Sequence, residues 1–387
     1  MPAYDRALAP TLRRAARAFP AVILTGPRRA GKTFLLRRAF PAASYHLLED
    51  PDVLARAKAD PRGWLADVRT PAIVDEIQHA PELLPYIRTL VDAVPSRTGR
   101  WLLTGSQDFS LMAGVTESMA GRAAVLHLAP LSAAELGRWN LVVGGFPEVV
   151  LRPRSRRLWF GSYLQTYLER DVRGLLAVRD LAVFRRFLAL LASRTGQLLN
   201  RSDLAAPLGV SVPTISSWLS VLETTGHVLL VPPFHENFGK RLIKSPKLYW
   251  VDTGLVCFLL GIETEAELAR SPFAGAIFES FVAAEIVKHR QARGLPAGVH
   301  FFRDEQGLEV DFLVTGRGGT VHLVEAKWSR TIAPSDARSL RRLLDAIGDR
   351  PADATLVHRG KAMADTPAAV VPGVRTTDVA GLLRHLA

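Results

Sequence analysis

The segment Gly26-Pro27-Arg28-Arg29-Ala30-Gly31-Lys32-Thr33 constrains this chain more than any other stretch, because it fills every position of the G-x-x-x-x-G-K-[ST] pattern. It follows a short apolar run, Ala21 to Leu24, and precedes residues from Thr33 to Phe40 that can continue as a helix. A strand, a glycine-rich turn and a helix in that order make a cradle for phosphate. Glycines let the backbone come close, successive N–H groups point inward, and the helix N-terminus adds positive potential. Lys32 is expected to reach the β- and γ-phosphates of ATP, and the Thr33 hydroxyl to bind Mg2+. The expected nucleotide contacts are Gly26, Pro27, Arg28, Arg29, Ala30, Gly31, Lys32, Thr33 and Phe34.

Two more apolar runs, Pro71 to Val74 and Arg100 to Thr104, read as buried strands, with helical spacing from Leu83 to Val94 between them. Strands alternating with helices imply a parallel sheet covered on both faces. The first run delivers Asp75 and Glu76 at its C-terminal end, where ligands of open α/β sheets bind. Asp75 is expected to hold Mg2+ through water and Glu76 to polarise an attacking water. The second run ends in Thr104-Gly105-Ser106-Gln107, which makes Ser106 and Gln107 candidate sensors of the γ-phosphate. Arg122 is a candidate for neutralising transition-state charge in this subunit or a neighbour, against the alternative of a plain surface arginine.

Charge extends the argument. The 387 residues carry a net charge of +12, which favours polyanionic partners, nucleic acid foremost. The excess is concentrated in residues 1–38 and 151–200, so two polyanion-facing regions are expected rather than a uniformly basic surface. With 48% hydrophobic residues the chain can bury ordinary cores, and wholesale disorder is excluded. Cys257 is the single cysteine, which excludes an internal disulfide and a multi-cysteine zinc site. No apolar run is long enough to span a bilayer. The expectation is a soluble cytoplasmic protein without a membrane partner.

From about 155 to 230 the pattern is helical. Arg201 to Gly209 followed by Val210 to Glu223 reads as a helix, a glycine-containing turn and a second helix. Thr214, Ser216, Ser217 and Ser220 fall on its polar faces and Ile215, Leu219 and Leu222 point inward. Gly226 to Val231 and Lys247 to Val251 are placed to flank a wing whose loop holds Lys240, Arg241 and Lys244. This is a winged-helix pattern, a candidate DNA reader, although such modules also dock proteins.

Further on, Glu279 lies in a helical stretch, and Asp311 and Glu325 lie on two strands joined by a glycine-rich turn, with Lys327 on the same face as Glu325. Two acids at neighbouring strand positions can share Mg2+ or Mn2+ through oxygen ligands. The arrangement resembles the core of PD-(D/E)XK nucleases, a resemblance that implies two metal-binding acids, a lysine that orients water, and a helical glutamate that completes the site. It leaves two readings open, an active nuclease and a silent nuclease-like fold.

The phosphate loop, Asp75-Glu76, Leu102 to Gln107, Ala120-Gly121-Arg122 and Leu128 to Ser132 together resemble prokaryotic AAA-like ATPases whose C-terminal half is labelled domain of unknown function 4143. Gly144 to Glu148, Tyr167 to Asp171, Ser245 to Tyr249, Asp252 to Gly254 and Phe278-Glu279 extend the resemblance. It implies an ATP-binding AAA-like domain and a plausible homo-oligomer, with Arg122 and Arg170 as candidate contacts in trans, and it names no protein client. The expected architecture is α/β: a P-loop NTPase domain over 1–145, a helical connector over 146–180, a winged helix over 181–255 and a nuclease-like α/β domain over 256–387.

Overall fold

The computed structural model describes residues 4–105, 118–168, 181–234, 245–348, 350–360 and 369–387. The N-terminal part is built on five parallel strands: β1 (Ala21–Thr25), β2 (Ser44–Leu47), β3 (Ala72–Asp75), β4 (Trp101–Thr104) and β5 (Ala123–His127). They lie in the order β2-β3-β4-β1-β5. Successive side chains of a strand face opposite ways, and both faces here are apolar. Ala21, Ile23, Val74 and Leu103 pack into one core, and Val22, Leu24, Ile73 and Leu102 into another on the opposite face. Helices α1 (Ala9–Ala18) and α2 (Lys32–Ala39) cover the second face, and α3 (Pro51–Ala59), α4 (Pro61–Asp67) and α5 (Leu83–Ala93) cover the first. This is a P-loop NTPase fold. Its strands place their C-terminal ends, and with them the loops after β1, β3 and β4, along one edge.

Strand β2 carries no clear sequence signal, whereas α3 and α4 each start on an Asp-Pro pair whose aspartate caps the helix. Ser44-Tyr45-His46-Leu47 is too polar and too short to read as a strand, and its pairing with β3 is what orders it.

Beyond residue 145 the chain is helical. The helices Arg201–Ala205 and Val212–Thr224 belong to segments that meet at 111° across the turn at Gly209. Ile215, Leu219 and Leu222 are buried as their spacing requires, and Trp218 and Val221 join them. Strands β6 (Val228–Val231) and β7 (Lys247–Trp250) pair antiparallel; the loop carrying Lys240, Arg241 and Lys244 lies outside the described residues.

The C-terminal sheet is mixed. Its strands are β8 (Val299–Arg303), β9 (Glu309–Thr315), β10 (Val321–Lys327), β11 (Ala352–His358), β12 (Ala369–Val371) and β13 (Val374–Thr377), in the order β12-β13-β11-β10-β9-β8. Strands β8 to β10 form an antiparallel meander and β11 joins β10 in parallel after the helix Arg338–Ile347. Phe312, Val314 and Val324 face the long helix Ala274–Ala292, whereas Leu313, Leu323 and Leu356 face the helix Arg338–Ile347. The first of these cores is continuous from Leu141 to Leu383, so the boundary expected near 255 runs through shared packing. Cys257 is buried in it, and burial pushes its thiol up to about 12. Among the described residues no single helix is long and apolar enough to cross a membrane.

Candidate functional site

The loop between β1 and α2 is shaped by backbone requirements that only certain residues meet. Gly26 has φ +138°, and a Cβ there would collide with the Leu128 carbonyl. Gly31 has φ +96° where it caps α2, so the helix starts directly at Lys32. The Lys32 ammonium is buried and donates to the carbonyls of Gly26 at 3.0 Å and Pro27 at 3.2 Å. Arg6 clamps the loop from behind, donating to Ala30 O at 2.7 Å and Ala129 O at 2.6 Å while its Nε meets Glu135 at 3.1 Å.

Across the loop, Asp75 is buried at the end of β3 and collects three hydroxyl donors. Thr33 Oγ1 lies 2.8 Å from Oδ2 and Tyr45 OH 2.7 Å from the same oxygen, while Thr104 donates to Oδ1. Thr104 also accepts from the backbone N–H of Glu76 at 3.1 Å, tying β4 to β3 at the site. Burial, then the bond to Asp75, raises the Tyr45 phenol above its usual range, so it stays a donor. Glu76 has φ +59° and accepts a hydrogen bond from Gln78. Thr33, Tyr45, Asp75 and Glu76 line a cavity of about 650 Å3 together with Phe34, which is 53% exposed, and Glu148. Arg28 pairs with Glu49 and Arg29 with Glu148, each at 3.4 Å. The Tyr163 hydroxyl is 3.4 Å from the Arg28 carbonyl and 2.9 Å from His227 Nε2, which connects this loop to the helical region.

The structure thus brings Arg28 to Phe34, Asp75 and Glu76 to one cavity, while Gly26 and Pro27 stand behind it and accept from Lys32 through their carbonyls. Ser106, Gln107 and Arg170 lie outside the described residues. Arg122 is a correction. It precedes β5 at the N-terminal end of the sheet, the end away from the phosphate loop, and is ion-paired with Asp92 at 2.5 Å, so in its own subunit it does not face the cavity. Tyr45, Thr104 and Arg6 are site residues that sequence reasoning misses; Thr104, at the end of an apolar strand beside Asp75, carries the one signal that could have found a member of this set.

The second cluster sits on the meander. The register pairing Val324 with Phe312 brings Asp311 beside Glu325, and Ala326 N donates to Asp311 Oδ2 at 2.9 Å. Lys327 pairs with Glu325 at 2.8 Å. Glu279 faces the same place from the long helix, whereas Glu285 points elsewhere, accepting from Ala133 N and Lys288. The four expected residues are therefore gathered. A fifth stands among them: Lys247 of β7 places its ammonium 3.0 Å from Glu279, 2.5 Å from Glu309 and 3.5 Å from Asp311. Burial, then the neighbouring Asp311 charge, pushes both Glu279 and Glu325 above the usual carboxylate range. The resemblance to PD-(D/E)XK nucleases implies a divalent ion here. The residues present do not fit one between Glu279 and Asp311, because the buried Lys247 ammonium already lies against both.

The basic stretch 151–200 is partly structural. Arg156 donates to the carbonyls of Val142 and Glu263, and Arg157 pairs with Glu263.

Three family models match in succession: an AAA domain over residues 18–137, domain of unknown function 8612 over 137–266, and domain of unknown function 4143 over 274–372. The uncharacterized proteins Rv2008c of Mycobacterium tuberculosis and Mb2031c of Mycobacterium bovis are each 35% identical over 350 residues, covering 88% of this chain and 77% of theirs. Among solved structures, a Walker-type ATPase of Pyrococcus abyssi aligns with 66% of this chain and 96% of its own at 15% identity and a TM-score of 0.45. The Holliday junction branch migration motor RuvB of Thermotoga maritima aligns with 58% and 89% at 16% identity and a TM-score of 0.33.

Proposed function

Because this chain belongs to the family of AAA-domain proteins that carry domain of unknown function 4143, we infer that it is a Mg2+-dependent ATPase whose nucleotide state controls how its C-terminal half engages DNA. The observation that carries the ATPase reading is the pairing of a buried Lys32 in a glycine-shaped loop with Thr33 and Asp75 across one cavity. Lys32 and the loop N–H groups bind the β- and γ-phosphates. Thr33 and Asp75 are the residues that hold Mg2+, which when bound supplies charge neutralisation on those phosphates. Tyr45 and Thr104 keep Asp75 oriented by donating to it. Glu76, at the rim of the cavity, accepts the proton of the attacking water. Ser106 and Gln107 complete the γ-phosphate contacts, and Arg122 or Arg170 serves a neighbouring subunit in a homo-oligomer.

The DNA reading is supported by the 111° turn between two short helices, by the half-exposed hydroxyls of Thr214, Ser216 and Ser220 with the exposed Ser217, and by the basic residues Lys240, Arg241 and Lys244. The contact from the phosphate loop through Tyr163 to His227 supplies a route between nucleotide and helices. A second reading, a nucleotide switch that binds a protein partner, is favoured by the helix Val212–Thr224, which has no Arg or Lys and starts on Val212 at 40% exposure. Fluorescence anisotropy with duplex DNA separates the two. Affinity that falls steeply with salt, with a slope lowered by up to about 0.9 for each of Lys240, Arg241 and Lys244 neutralised, supports the DNA reading. No binding at low salt in either ATP-analogue or ADP form supports the protein switch.

A further inference from the structure

The C-terminal acidic centre has its cation built in. Lys247 lies on β7, in the two-stranded hairpin, and its side chain is 3% exposed. A buried ammonium is costly unless surrounding charge compensates it. Here burial alone would lower its pKa, and Glu279, Asp311 and Glu309 together raise it well above the usual lysine range. Tyr249, two residues along and therefore on the same face of the strand, donates to the same Glu279 oxygen at 2.5 Å. Most of the carboxylate oxygens around the ammonium already accept from other groups. Glu279 Oε1 takes Lys247 and Tyr249, Glu309 takes Lys247 and Arg303, and Asp311 takes Lys247 and the Ala326 N–H. Glu325 Oε2 is buried without a hydrogen-bond partner among the described residues.

A small divalent ion demands several carboxylate or water oxygens at close, regular distances. An ammonium already touching three of the same carboxylates excludes it both by volume and by like-charge repulsion at short range. The two cations are alternatives for one position. We propose that the Lys247 ammonium is the resident cation of the centre formed by Glu279, Glu309 and Asp311, so that the native chain takes no divalent ion there and the nuclease-like sheet serves as the seat of the β6–β7 hairpin. The carboxylates then hold β7 to the long helix and to β9, which join the hairpin to the C-terminal sheet through side chains distant in sequence. Deleting the ammonium while keeping the carboxylates converts the centre into a divalent-cation site.

The test uses the full chain without nucleotide and with Asp75→Asn, which removes the ion site of the phosphate loop; Mn2+ is titrated and the free ion read by electron paramagnetic resonance. With Lys247 intact, no Mn2+ is bound that Asp311→Asn removes, whatever the clusters His322, Asp353, His385 and Glu49, Glu76, His79 take up, and Lys247→Arg gives the same result. Lys247→Met gains one Mn2+ per chain and loses it again when Asp311→Asn is added. In the thermal melt, Mn2+ raises the unfolding midpoint of the Lys247→Met chain more than that of the Lys247 chain. One bound Mn2+ in the Lys247 chain that Asp311→Asn abolishes overturns the proposal, and that arm decides the matter even if Lys247→Met does not fold. A folded Lys247→Met chain that gains no Mn2+ over the Lys247 chain also overturns it. Neither result depends on whether the phosphate loop hydrolyses ATP.

Discussion

Two lysines are buried among the described residues, and their settings differ. Lys32 donates to two backbone carbonyls of its own loop, and Asp75 accepts from three hydroxyls. Lys247 points into three carboxylates contributed by a distant helix and strand. A carbonyl dipole positions an ammonium, whereas a carboxylate neutralises it. The first arrangement suits a lysine that meets an anionic ligand. The second suits one whose charge is spent on holding two parts of the fold together.

The comparison can be broken in several places. The largest effect is expected at Glu76: Glu76→Gln should retain ATP binding and lose roughly 10²–10⁴-fold in hydrolysis rate, measured as phosphate release at saturating ATP. Equal loss of binding would make Glu76 a structural residue of its turn. At the other lysine, Lys247→Ala strands three acids without their cation. It should cost about 3–5 kcal/mol in denaturant unfolding of the C-terminal region without divalent ions.

His227 sharpens the link between the two regions. It is 5% exposed, and burial lowers its pKa from 6.5 to about 4. The unfolded chain therefore binds the proton in a pH range where the folded chain does not. Stability from this group is complete above pH 6.5 and is lost as pH falls toward about 4, by at most about 3 kcal/mol. Melting across that window should show the loss, and His227→Gln should reduce it by this histidine's share, leaving the part due to His127 and His289, whose pKa values burial lowers in the same way.

The smaller effects return to the nucleotide site. Tyr45→Phe removes one of three hydroxyl donors to Asp75 and should raise the Mg2+ concentration for half-maximal hydrolysis by about tenfold or less. Arg122→Ala should leave nucleotide binding by the isolated subunit unchanged, because the side chain pairs with Asp92 at the far end of the sheet. A fall in hydrolysis that grows with protein concentration would instead mark a trans contact.

The same contrast explains what was legible in the sequence. The phosphate loop and Asp75-Glu76 are contiguous, and their chemistry follows from local order: strand, glycine turn, helix, then a strand ending in acids. Asp311, Glu325 and Lys327 were legible for the same reason, since strand period and one turn place them together. Tyr45 was not, because it reaches Asp75 only through the β2–β3 pairing. Nor was Lys247. A lysine between Pro246 and Leu248 reads as a surface residue, and its burial depends on Glu279, Glu309 and Asp311, whose approach is set by tertiary packing. The run Ser245 to Tyr249 does not reveal by itself why lysine and tyrosine alternate in it: both side chains reach Glu279.

Hydrolysis of ATP by the purified full chain with Mg2+, compared between wild type and Lys32→Ala, tests the central claim most directly. Phosphate release that requires Mg2+ and is abolished by Lys32→Ala is the predicted result, whereas equal release by both chains, or none from folded wild type, would contradict it.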